Sequence, residues 1–203
     1  MSAEVFGAQT ATRAKSVVLV HGLYADGSCW LDVIPHLLGA GLKVTAVQNP
    51  LTSIAEDAAA TRRILELQDG PTVLVGHSFA GTIISEAGTH PSVSALVYVA
   101  ARAPDAGEDF AALAAKFPKP PASAGVVKAN GFFWLSEEAF LRDFAGDIEP
   151  ARARTLYAVQ GVPTRYSREG PLRPRGGTSR VGTRYRRTTA PSIRISSDFW
   201  PSE

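Results

Sequence analysis

Short aliphatic runs alternate with stretches of helical periodicity along the first half of the chain. Four of these runs have the continuous apolar character of strands that are buried on both faces of a parallel sheet: Lys15–Val20, Leu42–Val47, Thr72–Val75 and Ala95–Ala100. The spacing of apolar residues between them predicts three helices: Trp30–Ala40, Ala55–Gln68 and Gly81–Ala87. Strands that alternate with helices through short connections predict an α/β fold with a doubly wound, mostly parallel sheet.

Residues after the fourth strand break this alternation. We predict that about 103–160 form a small helical cap over the carboxyl ends of the strands, with helices at Ser136–Ala145 and Pro150–Gln160. Ser136 is the expected N-cap of the first of these helices, and Pro150 suits the first position of the second. In the core, Ser53 and Glu56 have the capping-box spacing that begins a helix.

Charge and composition divide the chain near residue 164. Residues 1–164 carry 12 Lys and Arg against 16 Asp and Glu, whereas residues 165–203 carry nine Arg, no Lys and three acidic residues. The second segment is also poor in apolar residues. It therefore cannot bury enough surface to offset the roughly 1–2 kcal/mol per residue that ordering the backbone costs. We predict a core with its cap over 1–164 and an atypical Arg-rich tail over 165–203.

The remaining composition excludes several classes of protein. A chain of 203 residues, 45% of them apolar, suits one domain with a single core. Its one cysteine, Cys29, excludes a disulfide scaffold and a Cys-based metal site. No HExxH, P-loop or Rossmann glycine pattern occurs, so we expect no metal or cofactor. No early apolar run is long enough for a signal peptide or a membrane span, which favours a cytoplasmic protein without a membrane partner.

The candidate chemistry lies in one hexapeptide, Gly76-His77-Ser78-Phe79-Ala80-Gly81. It directly follows a predicted strand and begins a predicted helix, which is the context of a nucleophile elbow. Such a turn is strained at the serine and needs small residues two positions on either side. Gly76 meets this need, and we expect the turn to tolerate the extra methyl group of Ala80. Ser78 would then lie at the carboxyl edge of the sheet, where open α/β folds bind ligands.

A second segment, His21-Gly22-Leu23-Tyr24, follows the first strand. A backbone N–H of this loop can pair with the N–H of Phe79 to form an oxyanion hole. We interpret His21 as a structural residue that bonds to the backbone of its own loop, rather than as a catalytic one.

These segments resemble the α/β-hydrolase superfamily, and within it the small, cap-bearing esterase branch. The similar stretches are VVLVHGLYADGSCW, QNPLTSIAEDAAATRR, TVLVGHSFAG and SALVYVAARAPDAGE, so the resemblance extends over about Ser16 to Gln160. It implies that Ser78 is the nucleophile, that Leu23 and Phe79 supply the oxyanion N–H groups, and that the ligand is a small ester or acyl compound. The family would continue past the cap with two more strands and a final helix, which the tail does not resemble, so we expect a hydrolase fold that is incomplete at its C-terminal end.

The chain departs from this family in its catalytic base. The family places its triad in the order Ser, acid, His, but the four histidines here are His21, His36, His77 and His90. One candidate acid, Asp198, follows a predicted strand at Pro191–Ser196; the alternative is an Asp in a terminal coil. A lysine could in principle serve as the base in place of histidine, but all five lysines lie outside the site loops. We therefore expect weak or absent activity.

Three interpretations of the tail remain open. It can be an out-of-frame or truncated terminus, which would leave the fourth strand as an uncovered sheet edge. It can be a basic arm for nucleic acid or an acidic partner, although solvated charge is the commoner outcome of such runs. It can also fold onto the sheet in a way foreign to the family. The functional alternatives to a weak esterase are a non-catalytic relative that binds a small ligand and an unstable remnant. The oligomeric state is left open.

Overall fold

The computed structural model describes residues 14–104, 112 and 115–164 and the backbone of 180–184. Its main sheet contains the strands β1 (Ser16–Val20), β2 (Lys43–Val47), β3 (Thr72–His77), β4 (Val93–Val99) and β7 (Arg180–Arg184). They are all parallel and lie in the order β2-β1-β3-β4-β7. The predicted parallel sheet is therefore confirmed, and each of the four predicted strands is present within a few residues of its predicted ends.

The helices of the core are α1 (Ile34–Gly39), α2 (Ile54–Glu66) and α3 (Ala80–Ala87). Helix α2 begins as predicted, because the Ser53 hydroxyl accepts a hydrogen bond from the Glu56 N–H at 3.2 Å. The predicted helix Trp30–Ala40 is wrong in its first part. There the chain forms a 3-10 turn at Gly27–Trp30, which the Asp26 side chain caps, and α1 starts only at Ile34.

Apolar side chains pack on both faces of the sheet, because successive residues of a strand point to opposite sides. Val18 and Val20 of β1 contact the buried residues of α2 and α3 on one face. Val17 and Leu19 pack with Trp30 on the other face. This double burial explains why β1 is apolar at nearly every position, and it fixes the carboxyl ends of the strands as one rigid edge.

The cap contains the hairpin strands β5 (Val126–Ala129) and β6 (Phe132–Leu135), the short helix α4 (Glu137–Ala139), which continues as a π-helical turn over Phe140–Phe144, and helix α5 (Pro150–Ala158). The two predicted helical regions are confirmed, and the Ser136 hydroxyl accepts the Ala139 N–H at 3.3 Å. The hairpin was not predicted. The buried residues of the cap core are Tyr24, Ala122, Leu135, Phe140, Ala145 and Ala153.

Two sets of contacts join the cap to the sheet domain. Thr164 donates its N–H to the Leu51 carbonyl at 3.0 Å and its hydroxyl to the Thr52 carbonyl at 2.7 Å. In addition, Arg152 of α5 forms a 2.7 Å ion pair with Asp32. These contacts hold the cap against the sheet domain.

Strand β7 corrects one expectation. Residues Ala95–Val99 of β4 pair with Arg180–Arg184 in parallel register, with Val99 opposite Arg184. The uncovered edge at β4, which follows only from the interpretation of the tail as an out-of-frame or truncated terminus, is therefore wrong. Strand β7 nevertheless belongs to the segment that composition sets apart. Its polar sequence, RVGTR, has no continuous apolar run because it lies at the edge of the described sheet. The predicted strand Pro191–Ser196 and the candidate acid Asp198 lie outside the described residues.

Candidate active site

The turn between β3 and α3 has the geometry of a nucleophile elbow. Ser78 lies between the end of β3 and the start of α3 with φ +55°, in the left-handed region that residues with a side chain seldom adopt. Such a conformation costs on the order of 1–3 kcal/mol and persists where the surrounding structure enforces it. The Ser78 N–H donates to the Val99 carbonyl of β4 at 3.3 Å, and its carbonyl accepts the Gly81 N–H at 3.2 Å.

Small residues flank this turn as predicted. A Cβ on Gly76 would lie 2.8 Å from the Ala80 carbonyl oxygen and 3.0 Å from Ile84, so only glycine fits where strand and helix approach. Ala80 is the first residue of α3 and is fully buried. The turn therefore accepts its methyl group, in agreement with the prediction.

The loop after β1 packs directly against the elbow. In the sheet, Val20 pairs with Gly76, which brings the ends of β1 and β3 side by side. A Cβ on Gly22 would lie 3.0 Å from the Ser78 Cβ and 3.1 Å from the His77 carbonyl oxygen. Leu23 follows directly, so its backbone lies next to the nucleophile candidate.

Phe79 lies on the other side of Ser78. It precedes α3 with a helical φ of −56° and its ring is buried in the core. Its N–H is the first backbone donor after Ser78, at the start of a helix, where the helix dipole favours negative charge. The structure thus brings together Leu23, Ser78 and Phe79, the three described residues of the predicted site.

His21 is a structural residue. Its Nδ1 donates to the Gly22 carbonyl at 2.9 Å, and its Nε2 accepts the Asn49 N–H at 3.0 Å. These two bonds require the neutral tautomer with the proton on Nδ1, and burial lowers the pKa of the ring. His21 therefore joins the ends of β1 and β2 and has no nitrogen left to accept a proton from Ser78.

His77 precedes Ser78 but packs against the body of the protein. Its ring lies edge-on to Trp30, with the ring centroids 6.4 Å apart. Burial, with a smaller contribution from His21, lowers the pKa of His77 to about 4. Trp30 belongs to the core on the face of the sheet that carries α1, so the imidazole of His77 is held on that side of the sheet.

The other two histidines lie away from the site. His36 is exposed on α1, and the His90 Nδ1 lies 2.8 Å from the Ser92 hydroxyl before β4 begins. Across residues 14–104, 112 and 115–164, no side chain forms a hydrogen bond to the Ser78 hydroxyl. The same residues contain no group of three His, Cys, Asp or Glu side chains placed to hold a metal ion, and none of their helices is long and apolar enough to cross a membrane.

The sequence analysis missed Asp57, a buried carboxyl group on α2. Its Oδ1 accepts the Leu51 N–H at 2.7 Å, which holds the loop after β2, whereas its Oδ2 is buried with no hydrogen-bond partner among the described residues. Burial is the main reason that its pKa rises to about 7. An Asp in the first turn of a helix is common because its negative charge is favoured by the helix dipole, so nothing in the sequence indicates that this one is buried.

Comparisons with known proteins define the family. A model of the Alpha/beta hydrolase family matches residues 17–200. The carbendazim hydrolyzing esterase of Nocardioides sp. (strain SG-4G) is 30% identical over 158 residues, which make up 70% of this chain and 62% of the esterase. Methylesterase 3 of Arabidopsis thaliana is 33% identical over 109 residues, 46% of this chain and 41% of that protein.

A solved structure of polyneuridine aldehyde esterase agrees in fold, with a TM-score of 0.69 at 19% identity over 84% of this chain and 79% of that one. The parallel sheet, the elbow and the cap define an α/β hydrolase. The chain belongs to the alpha/beta hydrolase family, and its curated relatives include esterases. It spans only 62% and 41% of the lengths of the two curated relatives described above.

Proposed function

We propose that this chain is a serine hydrolase of the carboxylesterase type, which acts on small esters through an acyl-enzyme on Ser78. The observation that carries the proposal is the left-handed backbone of Ser78 between β3 and α3, at φ +55°. Two related esterases, one a carbendazim hydrolyzing esterase and one a methylesterase, support an ester as the substrate class.

In the proposed reaction, the Ser78 hydroxyl oxygen attacks the ester carbonyl carbon. The carbonyl oxygen gains negative charge, which the N–H groups of Leu23 and Phe79 stabilise. Collapse of this intermediate expels the alcohol and leaves an acyl group on Ser78, which water then removes. The serine proton must pass to a base during the attack, and the leaving alcohol must take up a proton when the intermediate collapses. A triad histidine normally carries this proton, and solvent water takes that part in our proposal.

The missing histidine makes this step slow in our proposal. No histidine follows His90 in the sequence, and His21 and His77 are held in other contacts. In a serine protease, loss of the histidine costs about 10⁶-fold in kcat, while ~10³–10⁴-fold over water survives through the oxyanion hole and binding. We therefore expect turnover that depends on Ser78 but is far below that of an enzyme with a complete triad.

The absence of a histidine after His90 also favours a second candidate, a non-catalytic protein that binds a small ester or acyl ligand in the same site. Both candidates place the ligand at Ser78. They differ in whether a bound ester is hydrolysed.

Hydrolysis of p-nitrophenyl acetate tests the proposal. The wild type is compared with Ser78→Ala and with Ser123→Ala, which changes an exposed serine of the cap. We expect slow turnover that saturates with substrate, is lost in Ser78→Ala and is unchanged in Ser123→Ala. Ligand-induced stabilisation without Ser78-dependent turnover would favour the binding candidate. Fast turnover, typical of a complete triad, would refute the impairment.

A further inference from the structure

The residue after Leu23 connects the candidate oxyanion loop to the cap. Tyr24 has φ +62°, in the left-handed region, and its side chain is 8% exposed. A bulky aromatic residue adopts this conformation only where its surroundings hold it there. The ring of Tyr24 belongs to the cap core, together with Leu135 and Phe140, and not to the core around the sheet.

The loop therefore changes its contacts within three residues. Gly22 is pressed against Ser78 and His77 of the elbow. Leu23 packs against both the sheet core and the cap core. Tyr24 packs in the cap core. The peptide group that carries the Leu23 N–H thus lies between an anchor on the elbow and an anchor in the cap.

We propose that Tyr24 is a positioning residue for the oxyanion hole, an inference that rests on the proposed function. Burial of the ring in the cap core holds the left-handed backbone at residue 24, and this backbone fixes where the Leu23 N–H points relative to Ser78. The Phe79 N–H belongs to the elbow and does not depend on the cap. The cap then controls one of the two donors.

Removal of the ring should affect the reaction more than substrate binding. Without its anchor, residue 24 can relax to an ordinary negative φ, which moves the Leu23 N–H away from the developing oxyanion. A displacement of about 1 Å in such a group can cost on the order of 10²-fold in rate. Because the oxyanion is charged only in the transition state, the loss falls on kcat.

The kinetic test compares Tyr24→Ala and Tyr24→Phe in the full chain, with p-nitrophenyl acetate as substrate. We expect Tyr24→Ala to lower kcat by tenfold or more with KM within threefold, and Tyr24→Phe, which keeps the buried ring, to lose much less of kcat than Tyr24→Ala. Leu65→Ala removes a fully buried side chain of α2 that belongs to the sheet core and not to the cap core, so it should lower Tm without changing kcat. An unchanged kcat in Tyr24→Ala, or equal losses in Leu65→Ala or Tyr24→Phe, would overturn the proposal.

Hydrogen exchange supplies a readout that needs no activity. Amides of residues 22–26 should exchange at least tenfold faster in Tyr24→Ala and in the cap-core variant Phe140→Ala, but not in Leu65→Ala. If Tyr24→Ala fails to fold, Tyr24→Leu is used with the same expected direction. If the wild type shows no Ser78-dependent turnover, the proposed function fails, while unchanged exchange in both cap variants would refute the role of Tyr24.

Discussion

Replacing Asp57 with Asn should stabilise the protein at pH 8 and leave it nearly unchanged at pH 4. The side chain is fully buried, its Oδ1 holds the Leu51 N–H, and its Oδ2 has no partner among the described residues. Asn keeps an oxygen for Leu51 and removes the charge. The variant therefore isolates the free energy of holding an ionised carboxylate at this position.

The magnitude follows from the pKa of Asp57, which burial raises from 3.8 to about 7. Between these two values the folded chain binds a proton that the unfolded chain has lost, so this group makes stability fall as pH rises through the window. At about 1.4 kcal/mol per pH unit, ionisation of Asp57 in the folded protein can cost at most about 4 kcal/mol of stability. We therefore expect the Asp57→Asn variant to be more stable than the wild type by roughly 2–4 kcal/mol at pH 8.

The histidines contribute with the opposite sign. Burial lowers the pKa of His21 and His77, so the unfolded chain binds their protons first and stability falls as pH drops below about 6.5. The wild-type profile is therefore a composite of opposing effects. The difference between variant and wild type at each pH removes the histidine contribution.

Urea unfolding at pH 4, 5, 6, 7 and 8, followed by circular dichroism, measures this difference. Asp69→Asn serves as the control, because Asp69 is exposed in an ion pair with Lys43 and should leave stability almost unchanged. A benefit of Asp57→Asn that is the same at every pH would refute the reasoning. A benefit that is larger at pH 4 than at pH 8 would refute it as well.

Two further variants test the site and its support. Gly22→Ala places a methyl group 3.0 Å from the Ser78 Cβ, so it should cost about 1–3 kcal/mol in stability and most of the Ser78-dependent turnover. Gly39→Ala is its control, since a methyl group there meets no atom within 4 Å; equal losses in both would contradict the packing argument. Ser53→Ala should lower the free energy of unfolding in urea by about 1 kcal/mol because it removes the α2 cap, whereas Ser53→Asp keeps an acceptor and should stay near the wild type. A Ser53→Ala variant as stable as the wild type would show that the cap contributes nothing.

The sequence predicted the elements whose signals are local. Strand β1 is apolar because both its faces are buried, and α2 begins at Ser53 because a hydroxyl must satisfy a free N–H. The elbow was predictable because its signal is also local: Gly76 and Ser78 lie at the junction of a predicted strand and a predicted helix. These features depend on spacing within a few residues.

The hairpin β5–β6 was missed although it carried a local signal. Asn130-Gly131 forms its turn with φ +52° and +82°, and this pair is a strong hairpin signature between two apolar runs. The preceding residues Phe117–Pro121 contain three prolines, which are typical of irregular structure. A search for Asn-Gly pairs would have found the hairpin.

Other features depend on distant contacts that the sequence does not display. The burial of Asp57 results from packing of α2 on the sheet, and the cap environment of Tyr24 results from chain segments more than 90 residues away. Strand β7 pairs with β4 through backbone groups, which any polar sequence can supply at a sheet edge.

The direction of β7 matters for anyone who wishes to engineer turnover into this chain. Since its last residue, Arg184, lies opposite Val99, and the carbonyl of Val99 accepts the Ser78 N–H, the polypeptide leaves the sheet on the side that carries the serine. An imidazole introduced at the end of β7 would start from the same edge of the sheet as the Ser78 hydroxyl. If the base is absent, as we propose, this strand end is the place from which to add one.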